Sequence, residues 1–176
     1  MEKPIVSIVM GSDSDLPVMK EAIQILLEFG VNHEVLILSA HRSPDETSRF
    51  AKDALNRGIR VIVAAAGGAA HLAGVIASHF PLPVIGVPIK TSSLNGVDSL
   101  YSIVQMPPGI PVGTVGINAA KNAGLLAIQI LAINSTDLLK KLIDYKKNMS
   151  QSVINKSNKL VKTGYKKYLS VVLKQK

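Results

Sequence analysis

Five short apolar runs, each closed by a Gly, Ser or Pro, alternate with stretches of helical periodicity along this chain. The runs are 5–10, 35–38, 61–66, 84–87 and 112–115. Continuous rather than alternating apolar character marks strands covered on both faces. Between them, Met19, Ala22, Ile23 and Leu26 share one helical face after Pro17, and Phe50, Ala51, Ala54 and Leu55 share another after Pro44. Both prolines fall where a first-turn proline is tolerated, and Ser43-Pro44-Asp45-Glu46 reads as a capping box. The segments 69–78 and 119–133 read as helices rich in small residues, which permit close approach of a neighbour. Strand alternating with helix requires a parallel sheet with right-handed crossovers. The expected fold is therefore α/β, a three-layer sandwich around a five-stranded parallel sheet in flavodoxin-like order.

Charge divides the chain. Of a net +8, residues 140–176 hold eleven Lys against one Asp, or +10, while the nine basic and eleven acidic groups of residues 1–139 give −2. Basicity confined to a tail does not argue for nucleic-acid binding by the body. Leu160, Val161, Tyr165, Tyr168, Leu169 and Val172 recur in the tail at helical spacing, so a helical, amphipathic extension is expected. Its Lys-rich face reads first as solvated surface and second as a contact for an acidic partner or membrane surface. No run suits a bilayer span, and the N-terminal residues lack the pattern of a secretory signal. A cytoplasmic protein that engages neither membrane nor nucleic acid is expected. The chain has no Cys and only four dispersed His, which gives no metal site by spacing. It also lacks a Walker or G-x-G-x-x-G pattern, so no cofactor is expected.

Three strand exits carry the chemistry, each small or polar and each just before a helix. In Gly11-Ser12-Asp13-Ser14-Asp15, the hydroxyls and backbone N–H groups suit an anion, and an Asp suits ribose hydroxyls; equally, Ser and Asp are ordinary helix caps. In Ser39-Ala40-His41-Arg42-Ser43-Pro44, Arg42 can hold a phosphate or pair with a nearby acid, and His41 can move a proton or bond a carbonyl. Gly67-Gly68-Ala69-Ala70-His71 offers almost no side chain, so a planar ligand could meet the backbone, although tight packing explains it as well. His71 bonds locally or assists catalysis. His33 and His79 read as structural. Together the loops point to a small phosphorylated ligand and one acid/base His.

These residues, with Gly74 and the stretch 86–107 that contains Asn95-Gly96-Val97-Asp98-Ser99-Leu100-Tyr101-Ser102, closely resemble the PurE family of purine biosynthesis. The resemblance covers about residues 4–147, in order and at family spacing, which sets an expected catalytic domain of 1–147 and an extension of 148–176. It implies an N5-carboxyaminoimidazole ribonucleotide mutase that needs no metal or ATP and moves a carboxylate from an exocyclic nitrogen to ring carbon 4. In the family the carboxylate leaves as carbon dioxide, is held in the site and is recaptured. His41 corresponds to the catalytic His. Ser12, Asp15 and Arg42 correspond to substrate-binding residues, Ser39, Gly67 and Ala70 lie in loops lining that pocket, and Ser14 and His71 are accessory candidates. A homo-octamer is implied as well. Ala73 departs from the family, which usually has Pro there.

Two rivals remain at this stage. A carboxylase on the same fold would use free carbon dioxide, and the third loop favours the mutase. A non-catalytic flavodoxin-like nucleotide-binding module would be expected to stack aromatics on its ligand, but the three loops contain no Phe, Tyr or Trp.

Overall fold

A computed structural model describes residues 3–173. Its parallel sheet has the order β2-β1-β3-β4-β5, built from β1 (Val6–Met10), β2 (His33–Ile37), β3 (Val61–Gly67), β4 (Val84–Ile89) and β5 (Gly113–Thr114). The register runs Val6 against Val61, Ile62 against Val84 and Ile85 against Gly113, so the strand exits share one edge of the sheet. This is the expected flavodoxin-like order. The central strands β1, β3 and β4 are buried along almost their whole length, as their unbroken apolar runs require. The outer strands differ from expectation. β2 has a single neighbour and leaves Val35 and Ile37 exposed, and β5 pairs over only two residues.

Helices α1 (Leu16–Phe29) and α5 (Ala120–Ala132) pack on each other over one face of the sheet. On the other face, α2 (Pro44–Asp53), α3 (Leu72–Ala77) and α4 (Val97–Val104) enclose a core that includes Phe50, Ile62, Leu72, Ile76 and Ile103. α1 starts with Pro17 in its first turn and stops at Gly30, whose φ of 71° would strain any residue with a Cβ. Its buried face uses Ile25 rather than the expected Ile23. Ser43 does not form the expected capping box. Its hydroxyl is held within its own loop, accepting from Ser39 N–H at 3.1 Å and donating to Ser39 C=O at 3.2 Å. α4 was not anticipated; it is short, and its entry at Gly96 (φ 91°) follows a second left-handed residue, Asn95.

The small residues of α5 have a steric purpose. A Cβ on Gly124 would overlap Ile25 Cγ2 and lie 3.2 Å from the carbonyl oxygen of Ala22, so α1 and α5 meet backbone to backbone. Gly124→Ala is expected to destabilise the protein by about 1–3 kcal/mol, because overpacking outweighs alanine's better helix propensity. Urea unfolding of both proteins measures the difference; equal or greater stability in the variant contradicts this packing.

The described residues divide into two compact units, which meet between Asn134 and Ser135 in sequence. The second consists of α6 (Thr136–Thr163) and α7 (Tyr165–Leu173). α6 starts where Ser135 Oγ accepts from Leu138 N–H at 3.3 Å, and it ends at Gly164. It runs without interruption through residue 147. Leu160, Val161, Tyr165 and Leu169 are exposed, and the side chain of Val172 lies outside the described residues. No helix among the described residues is long and apolar enough to cross a membrane.

Candidate active site

β1 and β3 are neighbours whose following helices lie on opposite faces, so the chain splits there and leaves a crevice beyond the strand ends. A cavity of about 490 Å³ occupies it. All three predicted loops contribute to its wall, as does a fourth exit, Ile89-Lys90-Thr91 after β4.

At the first exit, Ser12 and Asp15 form the capping box that was expected at Ser43. Ser12 Oγ accepts from Ser14 N–H at 3.3 Å, and Asp15 Oδ2 accepts from Ser12 N–H at 3.2 Å. Capping and cavity lining therefore coexist in one turn. Ser14 Oγ donates to Ser12 Oγ at 2.9 Å. Asp15 is only 6% exposed, and loss of hydration raises its pKa above the ordinary carboxylate value. The Ser12 N–H, the Ser14 hydroxyl and the Arg42 charge oppose that rise without cancelling it.

At the second exit, Arg42 is built into the wall rather than paired with Asp45 or Glu46. Its Nη2 donates to Gly11 C=O at 2.8 Å and its Nε to Ser39 Oγ at 3.4 Å, which ties the β2 exit to the β1 exit. Ser39 Oγ also accepts from Arg42 N–H at 3.2 Å. Guanidinium donors not used in these bonds are free to meet an anion. His41 Nε2 and His71 Nδ1 share a hydrogen bond of 2.9 Å, with the rings edge to face and their centroids 5.0 Å apart. Thirty residues separate the two in sequence, and parallel crossovers bring them together. The bond orients His41 and leaves its Nδ1 without a partner among the described residues. No third His, Asp or Glu joins the pair to make a metal-binding group among the described residues.

At the third exit, Gly67 lines the cavity and Gly68 takes a left-handed φ of 66°. Ser99, fully buried on α4, accepts from Gly68 N–H at 2.9 Å and donates to Ile89 C=O at 2.7 Å, while Ser102 Oγ donates to Gly68 C=O at 3.2 Å. α4 thus shapes the loop, a role invisible without the tertiary fold. Ala70 departs from expectation. It is 1% exposed within the core beneath the cavity, and its N–H is spent on Gly68 C=O, because the turn points its methyl inward. Ala69 lies in the wall instead, and its N–H has no acceptor among the described residues.

His33 and His79 lie away from the cavity wall. His33 Nδ1 bonds Val31 C=O at 2.8 Å and His79 Nε2 bonds Ser48 Oγ at 3.2 Å. The fourth exit is not evident from sequence because β4 runs to Ile89, past the Pro88 that closes its apolar run.

Comparison with known proteins agrees with this architecture. The chain is 59% identical to the N5-carboxyaminoimidazole ribonucleotide mutase of Thermotoga maritima over 167 residues, 95% of this chain and 98% of that protein. It is 53% identical over 169 residues to the phosphoribosylaminoimidazole carboxylase of Candida glabrata, covering 96% of this chain but 30% of that longer protein. The crystal structure of Treponema denticola PurE superposes with a TM-score of 0.81 at 30% identity, over 89% of this chain and 98% of that one. The sequence profile for AIR carboxylase matches residues 5–152, and the chain belongs to that family.

Proposed function

We propose that this chain is an N5-carboxyaminoimidazole ribonucleotide mutase of purine biosynthesis, an isomerase that works in the cavity at the strand exits. The observation that carries this reading is the meeting of His41, Arg42 and Asp15 in one cavity, in a chain 59% identical along nearly its full length to a mutase. Arg42 holds the phosphate, aided by Ser12, Ser14 and Ser39, whose hydroxyls line the same side. Asp15 accepts from ribose hydroxyls. Gly67 and its neighbours bring backbone close to the imidazole.

The chemistry then requires two proton transfers. The carboxylate leaves the exocyclic nitrogen as carbon dioxide when the C–N bond breaks, and His41 gives that nitrogen a proton. Carbon 4 attacks the retained carbon dioxide, and His41 takes the proton that carbon 4 releases. The proton lent in the first half returns in the second, so one imidazole suffices. His71, bonded to Nε2, positions the ring for both. A closed site matters because carbon dioxide is uncharged and otherwise escapes. Assembly as a cytoplasmic homo-octamer belongs to the same reading, and the exposed Leu94, Val97, Tyr101 and Val104 in and just before α4 give a second copy an apolar surface to cover.

Two separate reactions test the assignment. Purified protein receives either the N-carboxylated nucleotide alone or the uncarboxylated nucleotide with bicarbonate. Rapid product from the first and little from the second is expected. Efficient use of the second identifies a carboxylase, and product from neither leaves a binding module.

A further inference from the structure

Lys90 follows β4 directly and lines the same cavity. Gly67 pairs with Ile89, so Lys90 leaves the sheet beside the third loop, on the side of His71 and Ala69. Arg42 follows β2, three strand positions away in the order β2-β1-β3-β4, and its guanidinium reaches Gly11 at the β1 exit. These two are the permanent cations of the cavity wall, one engaged at the β1 exit and the other leaving β4.

Their engagements differ. The Arg42 guanidinium is anchored to Gly11 and Ser39. The Lys90 backbone N–H donates to Asn118 Oδ1 at 2.8 Å, which fixes the root of the side chain, but its ammonium joins no ion pair among the described residues. Asp98, the acid on α4 that bonds this segment, is occupied by the Thr91 hydroxyl at 3.0 and 3.1 Å. Asp15, the one acid of the wall among the described residues, belongs to the β1 exit and accepts from Ser12 N–H. A rooted ammonium without a counter-ion among the described residues, in a wall that also holds the unpartnered Ala69 N–H, has the chemistry to receive a small anion.

The mutase substrate has two anionic ends, a phosphate and the migrating carboxylate. We propose that Lys90 binds the carboxylate end, with Ala69 N–H as a second donor, while Arg42 binds the phosphate. This rests on the mutase reading and adds the source of selectivity between carboxylated and uncarboxylated nucleotide. Lys90 keeps hold of the same group at both positions it occupies, because the donor atom and ring carbon 4 are neighbours on one imidazole edge.

The wild-type protein is assayed first with the N-carboxylated nucleotide; if it does not turn over, the mutase reading itself fails and Lys90 is not at issue. Given turnover, Lys90→Met is expected to raise KM for the N-carboxylated nucleotide roughly 10- to 100-fold, the worth of a charge-assisted bond, while Kd for the uncarboxylated nucleotide changes by less than about twofold. Unchanged binding of the latter also shows that the variant is folded. Lys90→Arg, which keeps the charge, is expected to recover most of the affinity. An unchanged KM in Lys90→Met, or equal weakening for both nucleotides, overturns the proposal.

Discussion

Replacing His41 by Asn is expected to lower kcat by about 10²–10⁴-fold, near the top of that span, while nucleotide affinity stays within a few-fold of wild type. The magnitude follows from one imidazole acting twice. On the proposed mechanism its loss removes both the acid that protonates the exocyclic nitrogen as carbon dioxide leaves and the base that clears carbon 4. Asn is the informative replacement because it is close to the imidazole in size and can keep a hydrogen bond to His71, so the His41–His71 contact is perturbed least. Binding survives because Arg42 is anchored independently, by Gly11 and Ser39. Single-turnover kinetics and calorimetric titration with the nucleotide separate the two effects. Turnover within tenfold of wild type would remove His41 from the mechanism.

Asp15→Asn is expected to move activity and stability in opposite directions. The carboxylate is buried, and desolvation raises its pKa, so the ionised form present at neutral pH destabilises the folded protein. Asn keeps an acceptor for Ser12 N–H without the charge and is expected to add about 0.5–2 kcal/mol at neutral pH. The sign with pH is fixed by linkage. An acid whose folded pKa is raised binds protons more readily when folded, so the penalty is full above that pKa and disappears as pH falls through it toward the unfolded value. The stability gap between variant and wild type therefore narrows on acidification. Meanwhile kcat/KM is expected to fall roughly 10- to 100-fold, since the proposed charged acceptor for ribose hydroxyls is lost. Thermal unfolding across pH, with kinetics at neutral pH, reads both. A variant that is less stable at neutral pH contradicts the desolvation argument.

The sequence made the strands at the centre of the sheet legible because burial on both faces leaves only apolar residues there, and their alternation with helices left one simple order. The edges were harder to read. β2 shares its apolar look with the core strands, yet Val35 and Ile37 face outward, since periodicity cannot tell a covered face from an open one. Short-range signals also misled at Ser43, whose hydroxyl found a partner in Ser39 before it could cap α2. In the cavity, the loops carrying His41 and Ser12 stood out through residue chemistry. The His41–His71 bond, the buried Ser99 behind Gly68 and the place of Lys90 in the wall did not, because each depends on which strands become neighbours. Ala70 and Ala69 are indistinguishable as letters, and only the turn decides which one lines the cavity.

Retention of the carboxylate within one active site is the central claim, and isotope tracing reads it directly. The N-carboxylated nucleotide, labelled in its carboxylate, is converted in the presence of excess unlabelled bicarbonate, and the label in the product is measured by mass spectrometry. A mutase that retains carbon dioxide in the cavity around His41 delivers product that keeps nearly all of its label. Product whose label has fallen to that of the bicarbonate pool shows that carbon dioxide leaves and returns through solvent, which contradicts the mechanism.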